Sequence, residues 1–186
     1  MTAQEDALAR IADFLDRANV PYMVIGGIAN LVWGEPRATL DIDVTVLVGR
    51  DDLEVFLARV RSEYDVLVGD AAAFVRETRV LPIADRSGVR IDLVFGLRPF
   101  EEEAVRRAVD IDTGERSVRV CTAEDLILMK IISDRPRDLD DARAIVGCRL
   151  GSLDLAHLEP RVEEMAHLLE RDEILTRWRE WTAGKT

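Results

Sequence analysis

The chain has 186 residues, 48% of them hydrophobic, which is enough for one domain or for a domain with a small helical appendage. Its 36 acidic and 25 basic residues give a formal net charge of -11, which argues against a basic nucleic-acid-binding domain. Only 5% of the residues are aromatic, so Leu, Val, Ile and Ala must build the core. No apolar run approaches the ~20 residues needed to span a bilayer.

The N-terminal stretch MTAQEDALAR has no signal-peptide character, and an amphipathic helix is predicted over residues 4–19. The only cysteines, Cys121 and Cys148, form neither a disulfide framework nor a zinc-ligand spacing. Both lie in apolar contexts, which predicts buried thiols. We therefore expect a cytoplasmic protein.

Residues 22–46 contain the most informative pattern of the chain. Tyr22–Ile25 predicts a short strand, and Gly26-Gly27 predicts a tight turn. Ile28–Trp33 predicts a buried helix, and Leu40–Val46 predicts a second strand whose apolar residues alternate with polar ones.

Asp41 and Asp43 lie on the polar face of that second strand, where two like charges repel each other. Residues i and i+2 are roughly 6.5–7 Å apart along a strand, so the two carboxylates can converge on one cation. A hard ion such as Mg²⁺ binds a few carboxylates, and substrate phosphate completes its coordination shell. The alternative is an exposed edge strand with solvated carboxylates.

The turn at Gly26-Gly27 favours the metal interpretation. A glycine turn leading into a helix presents backbone N–H groups near the positive end of the helix, and phosphate oxygens bind such places. Gly-Gly alone is usually only a tight turn. Combined with Asp41 and Asp43, it predicts a site for a nucleoside triphosphate.

This stretch resembles the signature of the nucleotidyltransferase fold superfamily, the polymerase-beta-like proteins. The resemblance rests on Gly26-Gly27, a spacer of thirteen residues, and Asp41-Ile42-Asp43. In many members the second position of the glycine pair is a serine whose hydroxyl helps to hold phosphate. Gly27 departs from that pattern, which leaves only backbone groups for this task.

The motif Arg37-x-Thr39-x-Asp41-x-Asp43 is similar to the corresponding motif of toxin nucleotidyltransferases of the AbiEii/AbiGii type. It also resembles that of small antibiotic nucleotidyltransferases. The resemblance implies that Arg37 and Thr39 take part in nucleotide binding. It also implies that Asp41 and Asp43 are catalytic metal ligands.

The remainder of the chain predicts an alternation of strands and helices followed by helices alone. The predicted elements are a helix from Asp51 or Asp52 to about Arg61, strands over 64–68, 74–83 and 89–95, a hairpin turn over 84–88, a helix over 99–108, a hairpin of 109–111 with 117–121, a helix capped by Thr122, a helix that Gly147 ends, and helices over 155–169 and 171–181.

Asp92 is a lone acid on the same strand face as Arg90, and by itself it is consistent with a solvated or arginine-paired carboxylate. The superfamily resemblance implies a further role, because its members carry a third carboxylate on a later strand. By that likeness Asp92 is a metal ligand, or the general base toward the acceptor hydroxyl.

Lys130 is the one charged residue in the apolar helix Leu126–Ile132, so its ammonium must either meet an anion or reach solvent. AbiEii-like proteins carry such a lysine ahead of a basic turn and an Asp-containing helix. The likeness implies that Lys130 contacts the triphosphate and that Asp138 and Asp141 support the site. The alternative is that Asp138 and Asp141 are acids at the start of a helix, where the helix dipole stabilises them.

The expected fold is α/β with a small mixed sheet, a nucleotidyltransferase core over residues 1–121 and a helical part over 122–186. The expected activity is Mg²⁺- or Mn²⁺-dependent transfer of a nucleoside monophosphate from a triphosphate such as ATP, with Asp41, Asp43 and Asp92 catalytic and Gly26, Gly27, Arg37, Thr39 and Lys130 binding nucleotide.

Three functional alternatives stay open from the sequence. A toxin-type enzyme of a toxin-antitoxin system would modify tRNA or protein and would have a cognate antitoxin. An antibiotic nucleotidyltransferase would modify an aminoglycoside, whose positive charge suits an acidic protein. A non-catalytic nucleotide-binding regulatory module would keep the fold without the reaction.

Overall fold

A computed structural model describes residues 2–36, 39, 41–114 and 116–183. The described residues of Met1–Ile28 and Ala38–Cys121 form one compact unit, and those of Ala29–Arg37 and Thr122–Thr186 form a second.

The first unit contains a mixed sheet of seven strands within the described residues. In chain order the strands are β1 (Tyr22–Ile25), β2 (Ile42–Val46), β3 (Asp65–Val66), β4 (Val80–Ala84), β5 (Arg90–Phe95), β6 (Val109–Asp112) and β7 (Ser117–Val120). Their spatial order is β3-β4-β5-β2-β1-β7-β6. Strand β2 pairs antiparallel with β1 and parallel with β5, so the strands that carry Asp43 and Asp92 are neighbours near the centre of the sheet. The predicted mixed sheet is confirmed.

Helices account for most of the remaining described residues. They are α1 (Ala3–Arg17), α2 (Gly26–Trp33), α3 (Leu53–Glu63), α4 (Ala71–Thr78), α5 (Pro99–Arg107), α6 (Ala123–Ile131), α7 (Pro136–Arg149), α8 (Leu155–Leu168) and α9 (Asp172–Thr182), with a 3₁₀ turn at Leu150–Ser152. A capping box starts α1, because the Thr2 hydroxyl accepts from the Glu5 N–H and the Glu5 carboxylate accepts from the Thr2 N–H.

Aliphatic strand residues form the core of the first unit, as the low aromatic content predicts. Ile42, Val44 and Val46 on β2 are fully buried, in keeping with the predicted alternation. Aromatic rings gather at one part of this core: Phe14 meets Tyr64 edge-on at 5.4 Å between ring centroids.

The strand predicted over 74–83 is correct from Val80 onward, where β4 begins, and wrong before it, where the chain forms the end of α4. The Asp70 carboxylate caps α4 by accepting from the Ala73 N–H at 2.9 Å. The alanines that follow favour a helix. Arg79 ends it in the left-handed region at φ 60°, and its N–H donates to the Val75 carbonyl.

Other boundaries differ by a few residues from the prediction. Strand β2 begins at Ile42, so Asp41 immediately precedes the strand instead of lying inside it. Helix α7 continues through Gly147, which therefore does not end it. Cys121 is buried as predicted, whereas Cys148 on α7 is exposed.

The second unit buries one stripe of each of its longer helices. On α8, Leu158, Val162 and Met165 are buried, and on α9 Ile174 and Trp178 are buried, which confirms the predicted helical periodicity. Among the described residues, no helix has the length and apolar character required to cross a membrane.

Asp85 shapes the hairpin between β4 and β5, where a turn is predicted and found. Its side chain is 1% exposed. It accepts hydrogen bonds from the Ser87 N–H and hydroxyl, from the Val89 N–H and from the Arg10 guanidinium. Burial alone would raise the pKa of Asp85, but the bonds from Ser87, Arg10 and Val89 together lower it below its ordinary value.

We expect Asp85→Ala to lower the free energy of unfolding at pH 7 by about 2–3 kcal/mol, because it leaves buried donors unpaired. A carboxylate with a lowered folded-state pKa stabilises the fold above its unfolded-state pKa, and this contribution disappears as the pH falls through the folded-state pKa. Urea unfolding at pH 7, 5 and 3 should therefore show a smaller loss of stability on acidification in Asp85→Ala than in the wild type.

Asp110→Ala, which removes an exposed acid on β6, is the matched control and should resemble the wild type. Equal acid-induced losses in Asp85→Ala and the wild type would contradict the assignment to Asp85.

Candidate active site

Asp43 and Asp92 lie directly opposite each other on neighbouring parallel strands. On its other side Asp43 pairs with Ile25, the last residue of β1. Adjacent strands are about 4.8 Å apart, so this register sets the two aspartates side by side. Asp41 lies two positions before Asp43, immediately ahead of the same strand, and it is exposed.

The glycine turn packs directly against Asp43. Gly26 follows Ile25 and has a φ of +63°, a backbone conformation that residues other than glycine rarely adopt. A Cβ at position 26 would overlap the Asp43 Oδ2 and come within 2.8 Å of its Cγ. The structure thus brings together the predicted turn and the predicted acid, and it gives a steric reason for glycine.

Thr39 lies against the second glycine of the turn. A Cβ at position 27 would overlap the Thr39 hydroxyl and approach the Thr39 Cβ to 2.6 Å. The Thr39 hydroxyl donates to the Asp41 carbonyl at 3.2 Å, and the Gln4 amide donates to the Thr39 carbonyl at 3.3 Å. Arg37, the other predicted residue of this segment, lies outside the described residues.

Arg90 holds the Asp92 carboxylate by two hydrogen bonds, Nε to Oδ1 at 3.1 Å and Nη2 to Oδ2 at 3.3 Å. The pKa of Arg90 is raised, chiefly by the hydrogen bonds and charge of Asp92 and also by the charges of Asp41 and Asp43. The sequence predicted Arg90 on the face of Asp92 and left open whether Asp92 is solvated or paired with an arginine, and the structure shows the pair. The i, i+2 spacing of opposite charges was the available signal.

Within the part of the chain that the structure describes, no group of three or more His, Cys, Asp or Glu side chains is arranged to hold a metal ion. The assignment of Asp41, Asp43 and Asp92 as metal ligands therefore stays a prediction.

Lys130 is buried in the second unit, and its ammonium donates to Asp138 at 2.9 Å and to Asp141 at 2.8 Å. Asp138 also accepts from the Ser133 hydroxyl at 2.8 Å. Burial alone would raise the pKa of Asp138, but the bonds from Lys130 and Ser133 lower it overall. The buried ammonium thus meets anions, one of the two options that its position required. Its contact with a triphosphate stays a prediction.

The mixed sheet with its flanking helices is consistent with the nucleotidyltransferase fold. Comparison with known proteins supports the same class. Residues 2–183 match the family described as nucleotidyltransferase of unknown function (DUF6036), and the chain belongs to this family. The predicted superfamily and enzyme class, a nucleotidyltransferase, are therefore confirmed.

Solved structures of similar fold share little sequence with the chain. An antigenic nucleotidyltransferase-like protein from Paracoccidioides brasiliensis is 16% identical, over 93% of this chain and 90% of its own, with a TM-score of 0.56. ANT(2″)-Ia in complex with adenylyl-2″-tobramycin is 17% identical, over 95% and 99%, with a TM-score of 0.56.

The lincosamide antibiotic adenylyltransferase LnuA, bound to lincomycin, is 15% identical, over 78% of this chain and 96% of its own, with a TM-score of 0.52. These likenesses show the fold. No curated protein matches the chain.

We expect Gly26→Ala to displace Asp43 and to lower the free energy of unfolding by about 2–4 kcal/mol, because it adds a steric overlap to an unfavourable backbone conformation. Urea unfolding measures the loss. Gly88→Ala is the matched control, since Gly88 has φ +81° but open space where its Cβ would lie. It should cost only about 1 kcal/mol. Equal losses in the two variants would show that the contact with Asp43 is unimportant.

Lys130→Met should lower the free energy of unfolding by about 3–5 kcal/mol, because it leaves two carboxylates without their shared cation. Thermal and urea unfolding would measure this effect. Arg143→Met removes an exposed cation of the same helical unit and should change stability by no more than ~0.5 kcal/mol. A Lys130→Met protein as stable as Arg143→Met would show that the ion pairs add nothing to the fold.

Proposed function

We propose that the chain transfers a nucleoside monophosphate from a nucleoside triphosphate to an acceptor hydroxyl, with Asp41, Asp43 and Asp92 as the catalytic carboxylates. The observation that carries this proposal is the register of Asp43 with Asp92 on adjacent parallel strands, beside the turn at Gly26. Family membership supplies the class of reaction.

The donor set suits a hard divalent cation, because carboxylate oxygens are the ligands that Mg²⁺ and Mn²⁺ prefer. Asp43 and Asp92 are neighbours on the sheet, and the missing side chain of Gly26 leaves backbone beside the Asp43 carboxylate. Asp41, Asp43 and Asp92 are the residues that would hold the ion. When bound, it would stabilise the negative charge that develops on the attacking and leaving oxygens.

The residues of the chain would divide the reaction between them. The N–H groups at the start of α2, at Gly26 and Gly27, would bind phosphate oxygens. The Thr39 hydroxyl beside them would join them by turning its hydrogen from the Asp41 carbonyl to the phosphate. Asp92 would accept the proton of the acceptor hydroxyl as its oxygen attacks the α-phosphorus. The bond from the α-phosphorus to the bridging oxygen would break, and pyrophosphate would leave with the electron pair.

For the acceptor, we propose a small cationic molecule with free hydroxyl groups, of the aminoglycoside type. The net charge of -11 favours attraction of such a molecule. The fold also matches a protein solved with adenylyl-2″-tobramycin over 95% of this chain, so a fold of this size can accept an aminoglycoside.

A toxin-type enzyme acting on tRNA or protein, with an antitoxin partner, is the second candidate, and the motif around Thr39 and Asp41 supports it.

Asp41→Ala should abolish nucleotide transfer, by at least about 100-fold in rate, without loss of stability, because it removes one of several mutually repelling carboxylates. The assay incubates the protein with Mg²⁺ and each α-labelled nucleoside triphosphate, and it measures label in acceptor and released pyrophosphate. Asp110→Ala is the control for loss of one acid and should retain the wild-type rate. Transfer at the wild-type rate by Asp41→Ala would contradict the assignment of Asp41 as a catalytic carboxylate.

The same assay separates the acceptors when it is run with an aminoglycoside panel, total tRNA and cell protein in parallel. Label in the aminoglycosides supports the proposed acceptor, and label in tRNA or protein replaces it with the toxin-type reaction. Metal-dependent nucleotide binding without any transfer would indicate a regulatory module and contradict the proposed function.

A further inference from the structure

Arg90 is placed to act on the site through Asp92. The two residues lie two positions apart on β5, and both oxygens of Asp92 accept from the Arg90 guanidinium. The Asp92 side chain is only 20% exposed, whereas Arg90 is 53% exposed. The carboxylate is thus mostly shielded from water, whereas about half of the arginine side chain is in contact with solvent.

The guanidinium also lies in the field of the other two acids. The charges of Asp41 and Asp43 act on Arg90 in addition to that of Asp92, and Asp43 faces Asp92 across the strand pair. Like charges directly opposite each other destabilise a sheet. A cation bound to one of them offsets this repulsion when no other cation is present.

On the basis of the proposed function, we propose that Arg90 is the built-in counter-ion of the carboxylate site and competes with the divalent metal for Asp92. Two cations on one carboxylate repel each other, so metal binding to Asp92 must weaken the two-point contact with Arg90. Arg90 is then a positioning residue, which orients Asp92 and stabilises the metal-free protein at the expense of metal affinity.

A structural ion pair on the surface would behave differently. An exposed pair of this kind contributes little to stability, and its removal would leave metal affinity nearly unchanged. The competition model instead requires opposite effects of one substitution: weaker stability without metal and tighter binding of metal. The direction of the change in metal affinity therefore distinguishes the competing counter-ion from the structural ion pair.

The test measures Mn²⁺ binding without nucleotide, by the electron paramagnetic resonance signal of free Mn²⁺, in the wild type, Arg90→Gln, Arg90→Lys and Arg76→Gln. We expect Arg90→Gln to bind Mn²⁺ roughly three- to tenfold more tightly than the wild type, because a competing positive charge is gone. Arg90→Lys should be intermediate, since it keeps the charge but not the two-point contact. Arg76→Gln removes an equal charge, one paired with Glu54, and should match the wild type.

Thermal unfolding gives the second readout. Without metal, Arg90→Gln should unfold at a lower temperature than Arg76→Gln, and Mn²⁺ should raise its unfolding temperature more than that of the wild type. If Arg90→Gln does not fold, the Arg90 Nε–H signal in the NMR spectrum of the wild type, assigned by its loss in Arg90→Lys, replaces it. Mg²⁺ titration should shift that signal if the contact with Asp92 is broken.

The outcomes distinguish this proposal from the proposed function. Equal Mn²⁺ affinity in the wild type and Arg90→Gln, with binding lost in Asp43→Asn, would keep the metal site and overturn the role of Arg90. Weaker binding by Arg90→Gln, or an Arg90 signal unmoved by saturating Mg²⁺, would overturn it too. No Mn²⁺ binding by any of these proteins would overturn the metal site itself and the competition with it.

Discussion

The mutual repulsion of carboxylates on two adjacent central strands is the constraint on which the rest of this site depends. The parallel pairing of β2 with β5 sets Asp43 opposite Asp92. Nothing in strand formation favours this pairing of acids, since aspartate is a poor strand residue and like charges oppose each other. Its energetic cost must be balanced by a cation, and in the structure Arg90 provides one at Asp92.

The sheet topology supports this arrangement from both sides. Strand β1 ends opposite Asp43, so the chain must turn away where the carboxylate lies. Gly26 makes the turn with a positive φ and without a side chain, and α2 begins at once. This one glycine thus satisfies both a conformational requirement and a steric requirement.

In the second unit, a buried charge is likewise neutralised by charges of opposite sign. The ammonium of Lys130 is removed from water but bonded to Asp138 and Asp141. Removing such a cation leaves its two anionic partners uncompensated, which is why the pairing matters to the fold. Charged residues in this chain are therefore informative where they are buried, because only there does the cost of desolvation require a partner.

The local patterns determined much of the fold. The alternation of Ile42, Val44 and Val46 predicted a strand with one buried face, and the stripe of Leu158, Val162 and Met165 predicted a helix. Both elements are found, since burial of one face imposes its period directly on the sequence, and on β2 Thr45 of the other face is buried as well. The prediction failed over 74–79, ahead of β4, because the apolar residues there suit either element. The N-terminal cap at Asp70 and the left-handed C-terminal end at Arg79 favour a helix over a strand there.

The sequence by itself determined the enzyme class and the candidate residues of the site, because Gly26-Gly27 and Asp41-x-Asp43 are local in the chain and their spacing carries the chemistry. Only the tertiary structure decided that Asp43 and Asp92 are in register, that Gly26 packs against Asp43, and that Arg90 neutralises Asp92. These relations join residues on separate strands, or choose between solvent and a partner for a charge. Such choices depend on sheet pairing and packing, which no local pattern encodes.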